Sequence, residues 1–270
     1  MEIKMHQHTD ACNHHHEPED RRIIPINDEA GFEGMRKAGK LAAQVLDYIT
    51  PYIKAGITTG EINDLAHDFI IKNGARPAPL GYHGFPKSVC TSLNHVVCHG
   101  IPGDKKLKTG DILNVDTTVE LDGWHGDTSR MFAIGKIGVR AEKLINVTYE
   151  AMMLAIDMVK PGVLLGDIGH AMQTYVEKNG FSVVRDFCGH GVGREMHMAP
   201  SVPHYGKPGT GIELKEGMFF TIEPMVNAGK YPIKVLDDQW TAVTRDKSLS
   251  AQFEHSMGVT KNGVEIFTLS

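Results

Sequence analysis

The chain has 270 residues, 41% of them hydrophobic and 23% charged, which is enough to bury a full core in one large domain or two fused halves. A formal net charge of −5 argues against a general affinity for nucleic acid or anionic lipid. No apolar run approaches bilayer length and no apolar stretch follows a basic start, so neither a membrane span nor a secretory signal is expected.

The first stretch, MEIKMHQHTDACNHHHEPEDRR, is polar, rich in His and without hydrophobic periodicity. It reads as a disordered extension over residues 1–23, with ordered structure beginning near Ile23 to Ile26. His6, His8, Cys12, His14, His15 and His16 are donors for zinc or nickel, but their spacing is not that of a closed finger, and no dedicated site is expected. The four cysteines, Cys12, Cys90, Cys98 and Cys188, make no CxxC pair and no disulfide framework, which suits a reducing, cytoplasmic compartment.

From residue 24 onward the chain repeats itself. Helix-like stretches near 34–54 and 140–160 each precede a Gly-marked turn and a second helix. AGITTGEINDLAHDFIIKNG, from Ala55, sits above PGVLLGDIGHAMQTYVEKNG, from Pro161. Gly56, Gly60, Ile62, Lys72, Asn73 and Gly74 fall on Gly162, Gly166, Ile168, Lys178, Asn179 and Gly180. In each, an acidic residue opens an amphipathic helix and Asn-Gly stops it. KTGDILNVDTTV sits against KEGMFFTIEPMV, so Asp116 falls on Glu223. GDTSRM sits against FEHSMG, which puts Asp127 on Glu254 and Ser129 on Ser256. CHGIP sits against MHMAP, which puts His99 on His197. The expectation is a duplicated α+β unit whose two sheets face one another across a pseudo-two-fold axis.

Asp116 lies inside a period-two apolar run, and Glu223 is expected in a matching strand. Either alone reads most simply as a strand-end carboxylate or one half of an ion pair. Together, Asp116, Asp127, Glu223 and Glu254 would bring four negative charges into one cleft, where they repel unless cations hold them. Arg130 is the nearest cationic side chain in these motifs, and His190 in CGHGVGREMH is the best candidate for a directional ligand. Carboxylates with one imidazole favour Mn(II), Fe(II) or Co(II), with Zn(II) also suited. Two such ions about 3.5–4 Å apart can share a hydroxide and clamp a hydrolytic transition state. No GxSxG occurs, and Cys98 and His99, adjacent on a strand, point to opposite faces, which argues against a thiol nucleophile.

NHVVCHGIP, NVDTTV, DGWHGDTSRMF, FCGHGVGREMH, FFTIEPMV and DDQWTAVTRDKSLSAQFEHS, in this order, resemble type I methionine aminopeptidase from about Ile24 to about Phe267. The resemblance implies the pita-bread fold: antiparallel sheets facing a central dimetal site, helices outside, and residues 24–270 as one catalytic domain of two pseudo-symmetric halves. It implies that Asp116 chelates one metal, that Asp127 and Glu254 bridge both, and that His190 and Glu223 complete the other. A bridging water would attack the scissile carbonyl, with Glu223 shuttling a proton to the leaving amine, His99 contacting the amide nitrogen and His197 donating to the oxyanion. Cys90, Tyr82, Phe85, Met196 and Trp240 would wall the methionine pocket, with Pro79 standing where many bacterial members have Cys. The loop around Asn94, Val96 and Ser250 resembles the family's monovalent-cation site. The implied substrate is the initiator methionine of nascent chains whose second residue is small. A transient ribosome contact and a monomer are also implied. An Xaa-Pro peptidase and a non-catalytic pita-bread binding protein remain the alternatives.

Overall fold

A computed structural model describes residues 23–270. The expectation of a disordered extension over 1–23 therefore falls, apart from Ile23, outside the described residues, as do the metal donors between His6 and His16.

In chain order the first half contains α1 (Glu29–Ile49), α2 (Thr59–Lys72), β1 (Arg76–Pro77), β2 (Cys90–Leu93), β3 (Val96–Cys98), β4 (Ile112–Leu121) and β5 (Trp124–Ala133). The second half contains α3 (Val139–Asp157), α4 (Leu165–Lys178), β6 (Ser182–Val183), β7 (Gly189–Gly191), β8 (Met198–Val202), β9 (Phe219–Ile222), β10 (Met225–Asn227), β11 (Ile233–Val235), β12 (Ala242–Thr244), β13 (Ser250–Gln252), β14 (Glu254–Thr260) and β15 (Gly263–Ile266).

Helix α1 starts earlier than the apolar pattern suggests, because Asp28 caps it and accepts from the Gly31 N–H at 3.1 Å. It stops before Pro51, and Thr50–Tyr52 form a short 3₁₀ turn. Helix α2 opens with a capping box between Thr58 and Glu61. Its repeat partner α4 opens on Leu164 with no side-chain cap, and Asp167 in its first turn accepts from Gly209 N–H instead.

The duplication persists in the backbone bonds. Gly56 N–H donates to Leu107 and Gly162 N–H to Leu214, while Leu107 and Leu214 return bonds to Ile57 and Val163. Gly56 and Gly162 both take positive φ, at 102° and 88°, a region that favours glycine. The two half-sheets meet along a shared edge. They are hydrogen-bonded into one nine-stranded sheet with the path β1-β4-β5-β14-β9-β7-β8, on which β2 joins β4 and β15 joins β14. The seam is the antiparallel pair β5–β14, with Thr128 opposite His255 and Ser129 opposite Glu254. Across it, Asp127 N–H donates to Ser256 Oγ and Ser256 Oγ donates back to the Asp127 carbonyl. The repeat equates Asp127 with Glu254 and Ser129 with Ser256, so the pseudo-two-fold passes through the Thr128–His255 pair. Fusion satisfies two strand edges that separate sheets would leave open.

Alternation then sorts the strand residues. Leu113, Val115 and Val119 of β4 pack against Leu41, Val45, Ile62 and Ile70 of α1 and α2. Phe220, Ile222, Met257 and Val259 pack against Met152, Ile156, Ile168 and Met172 of α3 and α4. The intervening residues, Asp116, Thr118, Asp127 and Glu254, line a cavity. Next to Asp127, Gly126 lies so close under α1 that a Cβ there would sit 2.3 Å from the Ala38 carbonyl carbon and oxygen. Gly126→Ala should therefore lower the unfolding free energy by about 1–3 kcal/mol, since helix and seam must separate to admit it. Urea denaturation of the two proteins measures this, and equal midpoints would show that α1 can slide without cost.

Candidate metal centre

All of the residues picked out as ligands, catalytic groups or pocket walls line one cavity: Asp116, Asp127, His190, Glu223 and Glu254, His99 and His197, and Cys90, Tyr82, Phe85, Met196 and Trp240. The register explains the first set. Cys90 faces Asp116, Asp116 faces Ser129, and Ser129 faces Glu254, making one row across β2, β4, β5 and β14. Thr118 faces Asp127 in the next row.

Glu223 departs from the expected match to Asp116. Asp116 is in mid-strand, whereas Glu223 lies in the gap between β9 and β10. Pro224, which follows it, has no N–H to continue a ladder. The Glu223 N–H instead donates to His204 Nε2 at 3.1 Å. Its Oε1 accepts from Thr221 Oγ1 at 2.9 Å and its Oε2 from Gln252 Nε2 at 3.2 Å. On the other side of the cluster, Thr118 Oγ1 donates to Asp127 Oδ1 at 2.8 Å. The sequence reading missed these four supporting residues. Thr118 and Thr221 stand two positions from an acid on a strand, so period two alone points to them. His204 and Gln252 carry no such signal.

His190 sits on β7 between two glycines. Its Nδ1 lies 3.1 Å from the Gly191 carbonyl oxygen, which can only accept, so Nδ1 carries a proton. In the neutral ring Nε2 is then the acceptor nitrogen. It lies 3.4 Å from Glu223 Oε1 and 3.6 Å from Asp127 Oδ2. Ligand atoms of Asp127, His190 and Glu254 all fall within 4.8 Å of one another. An acceptor nitrogen facing two carboxylates is a repulsive arrangement unless a cation or proton lies between them. A backbone carbonyl holding the far N–H of the imidazole is the usual support for a metal-ligating histidine. No Lys or Arg is among the residues lining the cavity. The donor set thus fits divalent cations.

The electrostatics agree. Burial, and then Asp127, hold the Asp116 pKa well above the ordinary carboxylate value. Burial raises Asp127 to about 7, against the Thr118 hydrogen bond. Glu254 is pushed well up by burial and by Asp127, Glu223 and Asp116. Cys90 and Cys98 are likewise driven well above the usual thiol range by burial, then chiefly by neighbouring carboxylates. A thiol so held is protonated and a poor nucleophile. The remaining walls include Phe187, Cys188, Met198, Ser201 and Met225, none of which the sequence marks as a wall. Phe85 meets Trp240 edge to face at 5.1 Å. His197 lies between Tyr82, whose hydroxyl is 2.9 Å from its Nδ1, and His190, whose ring is 4.3 Å away.

The Asn94 loop lies outside this cavity lining. Asn94 takes a positive φ of 56°, and its carbonyl accepts from Ser250 N–H at 2.8 Å. Val96 pairs with Val243.

Comparison with known proteins places this geometry among peptidases. Residues 33–261 match metallopeptidase family M24. A methionine aminopeptidase of Rickettsia prowazekii is 61% identical over 248 residues, 92% of this chain and 96% of its own. Its crystal structure superposes with a TM-score of 0.91, over 92% of this chain and 100% of that one, at 60% identity. A methionine aminopeptidase of Escherichia coli K12 is 55% identical over 91% of this chain and 94% of its own. A prolidase of Pyrococcus horikoshii is 21% identical at a TM-score of 0.72, over 93% of this chain and 65% of that one, and shares the fold alone.

The raised carboxylates fix the sign of a pH effect. Without metal, the folded cluster keeps protons at pH values where the unfolded chain, with carboxylates near about 4, has lost them. Its contribution to stability is thus present at low pH and lost as pH rises through about 7. Metal must displace those protons, so affinity should fall about tenfold per pH unit below 7 for each proton released. The rise in Tm on adding excess Mn(II) is expected to be larger at pH 8 than at pH 6 by scanning calorimetry. Equal shifts would mean that no proton leaves the cluster.

Proposed function

Given that the chain belongs to metallopeptidase family M24, we propose that it removes the initiator methionine from nascent polypeptides whose second residue is small, using two divalent ions held by Asp116, Asp127, His190, Glu223 and Glu254. It is a metal-dependent methionine aminopeptidase with a pita-bread fold. The Xaa-Pro reading is set aside, because the prolidase likeness extends to the fold only. The single observation that carries the ligand assignment is the convergence of four carboxylates and the His190 imidazole on a cavity lined by no Lys or Arg.

When bound, divalent ions supply a water nucleophile at neutral pH and a Lewis-acid hold on the scissile carbonyl. Donor chemistry suits Mn(II), Fe(II), Co(II) or Zn(II). The protein's own groups do the rest. The Glu223 carboxylate, held on both oxygens by Thr221 and Gln252, takes a proton from the attacking water and returns it to the leaving amine. His197 donates to the carbonyl oxygen as negative charge develops there, and His99 contacts the scissile nitrogen. Cys90, Tyr82, Phe85, Met196 and Trp240 receive the methionine side chain, a flexible thioether that packs well among aromatic rings. A monovalent cation at the loop of Asn94, Val96 and Ser250 would fix that loop against β13, where Ser250 N–H already donates to the Asn94 carbonyl.

We assign residues 24–270 to one catalytic domain that acts as a cytoplasmic monomer, in transient contact with the ribosome. Among the described residues no helix is long and apolar enough to cross a membrane.

Methionine release from Met-Ala-Ser should vanish on chelation and return with added divalent metal, while Ala-Pro-Ser stays uncut. Glu223→Gln should remain folded and lose at least about a hundredfold in kcat. Turnover of Met-Ala-Ser by the chelated protein would remove the metal requirement. Wild-type turnover by the variant would remove the proton-transfer role.

A further inference from the structure

The segment Gly81–Phe85 is wound tightly. Gly81 and Gly84 have φ of 84° and 88°, and His83 between them has φ of 45°, a region that costs a residue with a side chain. The turn closes on itself: Gly81 N–H donates to the Phe85 carbonyl at 2.8 Å, Phe85 N–H to Tyr82 at 2.9 Å and Tyr82 N–H to Pro79 at 3.0 Å. The Tyr82 ring also packs edge-on to His83 at 4.4 Å. A side chain held this way has little freedom to move as a pocket wall adapts to its contents. Its hydroxyl is fixed 2.9 Å from His197 Nδ1.

We propose that Tyr82 is a positioning residue, whose hydroxyl donates to His197 Nδ1 and thereby holds the imidazole as the Nε2–H tautomer. A neutral imidazole carries one proton, so accepting at Nδ1 leaves the proton on Nε2. Nε2–H can then donate to a carbonyl oxygen, whereas the opposite tautomer would present a lone pair and repel it. The direction of the bond follows from the phenol's chemistry: a phenol donates well, and imidazole nitrogen is a strong acceptor. Burial, then the charge of Glu195, raise the Tyr82 pKa further, so the hydroxyl keeps its proton. On its other side the His197 ring meets His190 edge to face at 4.3 Å, which confines its rotation. Tyr82 thus does for His197 what a backbone carbonyl does for His190: it selects which nitrogen faces the reaction.

The inference rests on the reading of His197 as donor to the developing oxyanion, and the test separates the two. Tyr82→Phe keeps the ring and removes one oxygen. On Met-Ala-Ser, metal-loaded Tyr82→Phe is expected to lose about tenfold or more in kcat, the scale for removing a partner that orients an active-site histidine, with KM within about twofold. Nitrogen-15 NMR of the metal-free wild-type protein is expected to show His197 as a single Nε2–H tautomer. A wild-type kcat in Tyr82→Phe, or an effect confined to KM, overturns the inference while a low kcat in His197→Ala leaves the donor reading standing. A wild-type kcat in His197→Ala overturns both. An Nδ1–H tautomer in the wild-type protein overturns the inference by itself, and that measurement decides the matter should the Phe variant not fold.

Discussion

Mutual repulsion among buried carboxylates is the constraint on which the rest of this structure depends. Burial raises the pKa values of Asp116, Asp127 and Glu254, and neighbouring carboxylates add to the rise at Asp116 and Glu254. A sheet could carry such a row only where something positive is expected, because unpaired charge in a low-dielectric interior is costly. The helices α1 to α4 and the apolar residues of both halves build a rigid backing for that row. The glycines around His190 and beneath α1 allow the close approach that the row requires. Stability is thus spent on the helix-covered side of the sheet to hold an arrangement on the other side that metal, once bound, makes favourable.

Much of this was legible in the sequence, because the duplication wrote each chemical position twice. Asp127 with Glu254 and His99 with His197 emerge from simple alignment of the two halves. The turn glycines do too, and Gly56 and Gly162 both keep positive φ. Where a constraint acts on one half only, the alignment misleads. Glu223 is equivalent to Asp116 in sequence, but Pro224 ends the ladder and turns it into a residue held by His204, Thr221 and Gln252. The register differs as well, since Asp116 faces Ser129 while the partner of Ser256 is Thr221, two residues before Glu223. His204 and Gln252 are distant in the chain and lie in no repeated motif, so only folding brings them to Glu223. Tyr82 was legible as a wall, but its bond to His197 spans 115 positions and has no local trace. The fusion of two sheets into one was equally hidden, because alternation specifies which face a strand buries and not which neighbour it takes.

Support for the site is unevenly shared. The first half gives two of the strand acids, Asp116 and Asp127, and the rigid turn carrying Tyr82. The second gives the third strand acid, Glu254, the His190 imidazole, the acid that has left its strand and the polar groups that hold it. Carboxylates thus stand on both sides, and the denser hydrogen bonding, around Glu223, is on the second. Such a division suits a reaction in which charge is bound from both sides and protons move on one.

The axis through Thr128 and His255 has an ancestral reading. A single half-length chain could have met a copy of itself along this strand as an isologous dimer, the same patch serving on both partners. In that assembly one codon would have supplied two ligands, and every substitution would have struck the centre twice. Joining the copies end to end would have released that coupling. Aspartate could then be kept on one side of the axis and glutamate on the other, and a histidine could arise once without its mirror image.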